Sequence, residues 1–294
     1  MTHKNSIFTG VGTALITPFA NGKIDYTSLE SLIELQIKKG VSALVLLGTT
    51  GEASTISEWE RSEIIAFAHK KINSRIPLIV GCGTNNTEVT IRYCQNAAEL
   101  GADALLLVTP YYNKASATGL ITHYESVAKS VNLPIILYNV PSRTGVNIPI
   151  SVYKALCDVK NIVGIKEASG NISYLTEILD TCGDFFDVYS GNDELTLPFL
   201  ALGGKGVISV CSNIIPSKMC ELCSKLFCGD LVGAREIQLH LSTLISALFC
   251  EVNPIPIKYA CSVLGLCKNE LRLPLCSTEK EEQIKSALEK YGLI

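Results

Sequence analysis

The sharpest chemical signal in the sequence is a lysine inside an apolar run. Lys166 follows Ile162-Val163-Gly164-Ile165, and lysines are rarely buried without a purpose or a partner. An ammonium held out of water gives up its proton more readily, and the neutral amine attacks carbonyl carbons to form an imine. The competing reading is a lysine at a strand end that reaches solvent or pairs with Glu167. Tyr138 ends another run, Ile135-Ile136-Leu137. It is either a core aromatic with a satisfied hydroxyl or a phenol that relays the protons imine chemistry requires. Thr49 and Thr50 stand between Gly48 and Gly51. Two hydroxyls with close backbone N–H groups suit a carboxylate, although the same residues also make an ordinary turn. Arg143, read as a loop residue, is a solvated charge or a planar fork for a second carboxylate. Tyr112 follows Pro110 in a loop and by itself is merely an exposed aromatic.

No metal set emerges beside these groups. His3, His69, His123 and His240 lack the i, i+4 spacing of a helical zinc pair. Cys220-x-x-Cys223, with Cys228 nearby, is half a zinc site without its other half. On a helix, Met219, Cys220, Leu222, Cys223, Leu226 and Phe227 make a packing face instead.

Positioning such residues requires strands that end together. Apolar runs recur at Thr13–Phe19, Ala43–Gly48, Leu78–Gly83, Ala104–Pro110, Ile135–Val140, Ile162–Ala168, Val188–Asn192 and Gly206–Val210. Their starts lie roughly 25–35 residues apart, with a shorter last interval, which is the length of a strand-plus-helix unit. The runs lack polar alternation, as expected of strands buried on both faces. Between them Leu29, Leu32, Ile33 and Ile37 share one helix face. Thr27-Ser28-Leu29-Glu30 and Ser57-Glu58-Trp59-Glu60 both fit a capping box. Ala97, Ala98 and Gly101 close another helix. No Gly-x-Gly-x-x-Gly opens the first helix, which disfavours an open dinucleotide-binding sheet. The expectation is an α/β fold, a closed (β/α)8 TIM barrel over residues 1–229. A helical C-terminal extension over 230–294 would pack on it. Lys218–Phe227, Leu231–Phe249, Pro256–Leu266 and Thr278–Leu288 read as helices. In such barrels active sites form at the C-terminal ends of the strands, where all the residues above fall. Gly203-Gly204-Lys205-Gly206 precedes the eighth strand, the wrong end for a phosphate loop.

Composition narrows the function classes. The 294 residues are 47% hydrophobic and 18% charged, with a net charge of −3. That balance argues against disorder and against a dedicated nucleic-acid or acidic-membrane binder. No stretch approaches the ~18 uninterrupted apolar residues of a membrane span, and Met1–Gly10 shows no secretory h-region. A cytoplasmic protein with free thiols is expected. Of the twelve cysteines, Cys82, Cys94, Cys157, Cys182, Cys211, Cys250 and Cys261 read mostly as small apolar fillers in strands and helix faces.

At these residues the chain resembles the pyruvate-dependent class I aldolase family, that of dihydrodipicolinate synthase and N-acetylneuraminate lyase. Gly48-Thr49-Thr50-Gly51-Glu52 is similar to the family's carboxylate loop. Tyr138-Asn139-Val140-Pro141-x-Arg143-Thr144-Gly145 is similar to its tyrosine segment, and Gly164-Ile165-Lys166-Glu167-Ala168-Ser169-Gly170 to its lysine segment. Asn253-Pro254-Ile255-Pro256-Ile257-Lys258 and Leu271-Arg272-Leu273-Pro274 are typical of its synthase branch. Thr-Thr in the loop and Arg143 also side with that branch, against the sialic-acid lyases; the alternative is another pyruvate-dependent aldolase, an N-acetylneuraminate lyase or a keto-deoxy sugar acid aldolase.

The resemblance implies an imine between Lys166 and pyruvate, with no other cofactor. Thr49 and Thr50 would hold the pyruvate carboxylate, and Arg143 that of L-aspartate-4-semialdehyde. Tyr138, Thr50 and Tyr112 would form a proton relay, Tyr112 coming from a neighbouring subunit. Gly191 and Ile208 would line the pocket. It further implies the diaminopimelate route to lysine and a tight dimer, commonly paired into a tetramer. Ala53, Ser54, Asn85 and Tyr111 match the lysine-feedback site of regulated members. Such members often carry histidines where Glu58 and Arg61 stand, and a ligand-binding glutamate where Val89 stands. Glu88 would point elsewhere on its helix. Weak or absent lysine feedback is therefore expected.

Overall fold

A computed structural model describes residues 6–294. Met1–Asn5, with His3 and half of the N-terminal stretch read for a leader, lie outside the described residues. Ten strands form. They are β1 (Gly10–Ala14), β2 (Phe19–Ala20), β3 (Lys23–Ile24), β4 (Ala43–Leu46), β5 (Leu78–Gly81), β6 (Ala104–Val108), β7 (Ile135–Asn139), β8 (Ile162–Glu167), β9 (Asp187–Ser190) and β10 (Gly206–Ser209). Eight of them close into one barrel in the order β1-β10-β9-β8-β7-β6-β5-β4, with parallel pairing throughout. A helix follows each barrel strand before the next one begins. This is the expected TIM barrel.

Seven strands coincide with the apolar runs to within two residues. The first does not: it spans Gly10–Ala14 rather than Thr13–Phe19. Its glycines are needed because neighbours press on them. A Cβ on Gly12 would lie 2.9 Å from the Phe8 ring, and one on Gly10, which sits at φ 101°, would lie 3.0 Å from Ser42 Oγ. The later part of the run leads into the hairpin β2–β3. Asn21 and Gly22, both at positive φ, turn that hairpin, the usual chemistry of a two-residue loop.

The first helix, Tyr26–Lys38, buries Leu29, Leu32 and Ile33 as its spacing requires. Its cap is Asp25, not Thr27: the Asp25 carboxylate accepts from the Ser28 N–H at 3.1 Å and the Ser28 hydroxyl at 2.7 Å. A carboxylate at that position also complements the helix dipole. The second box is present in full, with Ser57 and Glu60 bonding reciprocally at the start of Glu58–Ile72. Arg143 belongs to a single helical turn, Pro141–Thr144, rather than a loop. Pro141 opens this turn, and Gly145 ends it at φ 71°.

The core is two-layered. Val45, Ile79, Leu106, Ile136, Tyr189 and Ile208 fill the barrel interior with Phe8 and Tyr138. A larger shell seals strands against helices, each fully buried Leu, Ile or Val contributing about 1.5–3 kcal/mol. After β10 come helices Pro216–Phe227, Leu231–Leu248, Ile255–Val263 and Glu281–Tyr291. Leu231–Leu248 packs on the helices before and after it. On Pro216–Phe227 the buried face is Met219, Leu222 and Cys223, while Phe227 is exposed. Among the described residues, which include all twelve cysteines, no disulfide forms. Cys82, Cys94, Cys182, Cys211 and Cys261 are core fillers, whereas Cys157 and Cys250 are half-buried. Among the described residues no helix is long and apolar enough to cross a membrane.

Candidate active site

The barrel ladder places the two chemical side chains. Tyr138 on β7 and Lys166 on β8 are register partners, so their side chains leave the sheet on the same face. The Lys166 ammonium nitrogen lies 4.3 Å from the Tyr138 ring centroid. Lys166 is only 6% exposed, which removes the reading of a lysine reaching solvent. Pairing with Glu167 is removed as well. Successive residues on a strand face opposite ways. Glu167 accepts from Asn139 Nδ2 at 2.8 Å and from the Ser169 N–H at 2.5 Å. Burial pushes its carboxyl upward, against those hydrogen bonds. Gly191, just beyond β9, makes room for the lysine. A Cβ there would lie 2.5 Å from the Ala168 Cβ and 3.1 Å from the Lys166 Cε.

Above these strands opens a cavity of about 430 Å³, lined among others by Gly48, Thr49, Tyr138, Val140, Arg143, Thr144 and Asn253. Lys166, Thr50, Gly191 and Ile208 do not line it; they are packed beside or beneath its wall. The cavity continues past Ala53, Ser54, Arg61, Thr84, Tyr93 and Tyr111. It therefore combines a phenol, several hydroxyls and two guanidinium groups in one enclosure, with the buried Lys166 amine packed against its Tyr138 wall. Such a set can form an imine while holding anionic substrates.

The loop from Gly48 to Thr55 has no ladder to hold it. Thr17 Oγ1 donates to the Gly51 carbonyl at 2.7 Å. The remaining ties come from the C-terminal region. Asn253 Nδ2 donates to Thr50 Oγ1 at 3.0 Å, and the Asn253 carbonyl accepts from Arg143 Nη2 at 3.0 Å. Lys258 Nζ donates to the Glu52 carboxylate, and both side chains are essentially fully buried. Burial draws the Lys258 ammonium below its ordinary range, against the opposing pull of Glu52. The Lys258 charge also sits 3.9 Å from the Phe19 ring centroid. The Arg272 N–H donates to Glu52 at 3.1 Å, while its guanidinium grips Glu60 twice, at 2.8 and 2.5 Å, and the Thr55 carbonyl at 2.9 Å. These contacts hold Glu52 at a left-handed φ of 53°.

The model of the dihydrodipicolinate synthetase family matches residues 7–290. The chain belongs to the dihydrodipicolinate synthetase family. The 4-hydroxy-tetrahydrodipicolinate synthase of Clostridium novyi is 47% identical over 98% of both chains. A crystal structure of dihydrodipicolinate synthase from Thermotoga maritima superposes with a TM-score of 0.96 at 44% identity, covering 98% of this chain and all of that one. A monomeric dihydrodipicolinate synthase variant superposes equally well, with a TM-score of 0.96 at 44% identity and 98% of each chain covered.

Membership in the synthetase family gives the sequence-derived residues a common frame. Lys166, Tyr138, Thr49, Thr50, Arg143, Gly191 and Ile208 come together. Tyr112 does not: it is 90% exposed, at φ 75°. Ala53, Ser54 and Tyr111 line the cavity, whereas Asn85 is exposed and outside its lining. Arg61 turns its guanidinium to the Gly81 carbonyl at 2.5 Å and over the Tyr93 ring at 4.2 Å. Asn253, Lys258 and Arg272 carry no individual role in the sequence reading. Their segments look typical of the synthase branch, but their partners lie 203, 206 and 220 positions away.

Proposed function

We propose that this chain condenses pyruvate with L-aspartate-4-semialdehyde to give 4-hydroxy-tetrahydrodipicolinate, in the diaminopimelate route to lysine. The observation that carries the reading is the Lys166 amine, buried against the ring of Tyr138, which itself lines a hydroxyl- and arginine-rich cavity. The amine attacks the ketone carbon of pyruvate, and water leaves as the imine forms. Thr49 and Thr50 hold the pyruvate carboxylate. Loss of a methyl proton gives an enamine, whose carbon attacks the aldehyde while Arg143 holds the second carboxylate. The substrate's own amine then attacks the imine carbon, the ring closes and Lys166 is released. Tyr138, Thr50 and Tyr112 carry the protons. No cofactor beyond the covalent imine is required. Gly191 and Ile208 keep the space in which the imine forms.

Tyr112 would act in the cavity of a second copy. Its near-complete exposure supports a tight dimer, which pairs into a tetramer. Residues 1–229 form the catalytic barrel in this reading, and 230–294 the extension that braces it. The setting is cytoplasmic. Arg143 on the cavity wall favours the amino-aldehyde acid over the sugar acids cleaved by N-acetylneuraminate lyase and keto-deoxy sugar acid aldolases. Lysine feedback is weak or absent, because the cavity's acidic lining residue, Glu52, has its carboxylate engaged by Lys258 and the Arg272 N–H.

The test is a mass shift after pyruvate and borohydride, mapped to the Lys166 peptide and lost in Lys166→Ala. Persistent trapping in that variant refutes the mechanism. Coupled assays with L-aspartate-4-semialdehyde and with N-acetylmannosamine separate the two aldolase readings. Inhibition by micromolar L-lysine would refute the feedback reading.

A further inference from the structure

The carboxamide of Asn253 makes one hydrogen bond and leaves one buried atom without any. Its Nδ2 donates to Thr50 Oγ1 at 3.0 Å, while its Oδ1 is buried and has no partner. An unmatched buried acceptor is unfavourable, so the amide is not placed there to satisfy itself. The bond has a definite polarity. A threonine hydroxyl carries one proton and two lone pairs, whereas an amide nitrogen only donates. The Thr50 proton therefore cannot lie along the line to Asn253 and must point elsewhere.

We infer that Asn253 is a positioning residue that fixes the direction of the Thr50 hydroxyl proton, keeping it available to pyruvate and to proton transfer. The inference rests on the roles given to Thr50 and Arg143 under the proposed function. Residue 253 touches both groups, through separable atoms. Its side chain holds Thr50, and its main-chain oxygen holds Arg143 Nη2. A side-chain substitution breaks the first link and leaves the second in place.

The informative variant is Asn253→Asp, nearly the same shape with the donor replaced by an acceptor. An ionised carboxylate only accepts, so the Thr50 proton must turn toward it and away from the substrate. Asn253→Ala removes the link without reversing it. Asn253→Asp should reduce kcat/KM for pyruvate by about 10²-fold, on the scale of a lost proton-transfer group. Asn253→Ala should reduce it by about tenfold, the effect of one hydrogen bond. A protonated aspartic acid donates again, so the gap between the two variants should narrow as the pH falls from about 8 toward 5. The KM for the aldehyde should stay unchanged in both. Thermal unfolding of each variant reports whether it folds, and Asn253→Ala supplies the comparison if Asn253→Asp is impaired. Equal, pH-independent losses would overturn the inference, as would a rise confined to the aldehyde KM. Pyruvate–borohydride trapping of the wild-type protein separates the two levels. If it fails, the proposed function falls. If it succeeds and the aspartate variant behaves like the alanine one, only the role of Asn253 falls.

Discussion

Lys166 and Tyr138 hold their places through the β7–β8 ladder, whereas Thr49, Thr50 and Glu52 sit in a loop held from outside the barrel. The first pair needs only strand register: neighbouring residues on parallel strands share a face, and the fold supplies the contact. Beyond the Thr17 bond, the loop is tied to the rest of the molecule by Asn253, Lys258 and Arg272, which reach it from more than two hundred positions away. Under the proposed function, the covalent chemistry would therefore reside on the ladder, and anion recognition on a loop tied to the C-terminal region. The two regions should fail differently. Damage to the ladder should stop chemistry in a stable protein, and damage to the clamp should loosen the protein and weaken substrate binding first.

The largest effect on the clamp side is expected from Lys258→Met. It leaves the Glu52 carboxylate buried beside an apolar side chain, a loss of about 3–5 kcal/mol for a broken buried pair. The double variant Glu52→Gln with Lys258→Met should recover much of it, because an apolar or neutral replacement of both partners removes the unpaired charge. Denaturant unfolding measures both. A single variant as stable as the wild type would mean that the loop does not depend on this tie.

On the ladder side, Tyr138→Phe retains the ring against Lys166 and removes only the hydroxyl. Turnover is expected to fall by about 10²–10³-fold, with unfolding midpoints close to those of the wild type. Comparable losses of stability and turnover would erase the distinction between the two regions. A smaller effect follows from Gly191→Ala. Its new methyl would meet the Ala168 Cβ at 2.5 Å and the Lys166 Cε at 3.1 Å, an overpacking cost of about 1–3 kcal/mol. Imine trapping should slow because the lysine loses space. An unchanged trapping rate would show that the lysine needs no such space.

The two regions also differ in how readily the sequence reveals them. The ladder is visible in periodicity: apolar runs at regular intervals require buried parallel strands, and Lys166 stands out because a charge interrupts one of them. The clamp is built from long-range pairings, which local patterns do not encode. Lys258 lies within the apolar stretch Ile255–Cys261, yet nothing nearby points to Glu52 as its partner. The first strand escaped because Gly10 and Gly12 read locally as turn residues. Only the folded chain, with Gly10 at φ 101° beside Ser42 and the Phe8 ring against Gly12, explains why they lack side chains. Thr27 resembled a cap because the box pattern ignores Asp25, whose carboxylate reaches the same helix end.

The most delicate probe of the clamp is its outer tie, Arg272 to Glu60. Hydrogen bonds from Arg272 hold the Glu60 carboxyl down at about 2, against an ordinary value of 4.5, with burial opposing them. A carboxylate with a depressed pKa contributes stability that is fully present above about pH 4.5. That contribution is lost as the pH falls toward about 2. Each tenfold change in proton affinity corresponds to about 1.4 kcal/mol. With solvent screening the pair, the tie contributes on the order of 1–3 kcal/mol at neutral pH. Arg272→Ala should therefore unfold more easily than the wild type at pH 7, and the difference should shrink as both are acidified through pH 4.5 toward 2. Because Ser57 also bonds Glu60, part of the depression should survive in the variant. A difference in unfolding free energy that stays constant across this range would mean that the Arg272 side chain acts through its bonds to the Thr55 and Gly22 carbonyls and its stacking on Phe19. Pyruvate trapping at Lys166 should persist in Arg272→Ala, since this tie never touches the β7–β8 ladder.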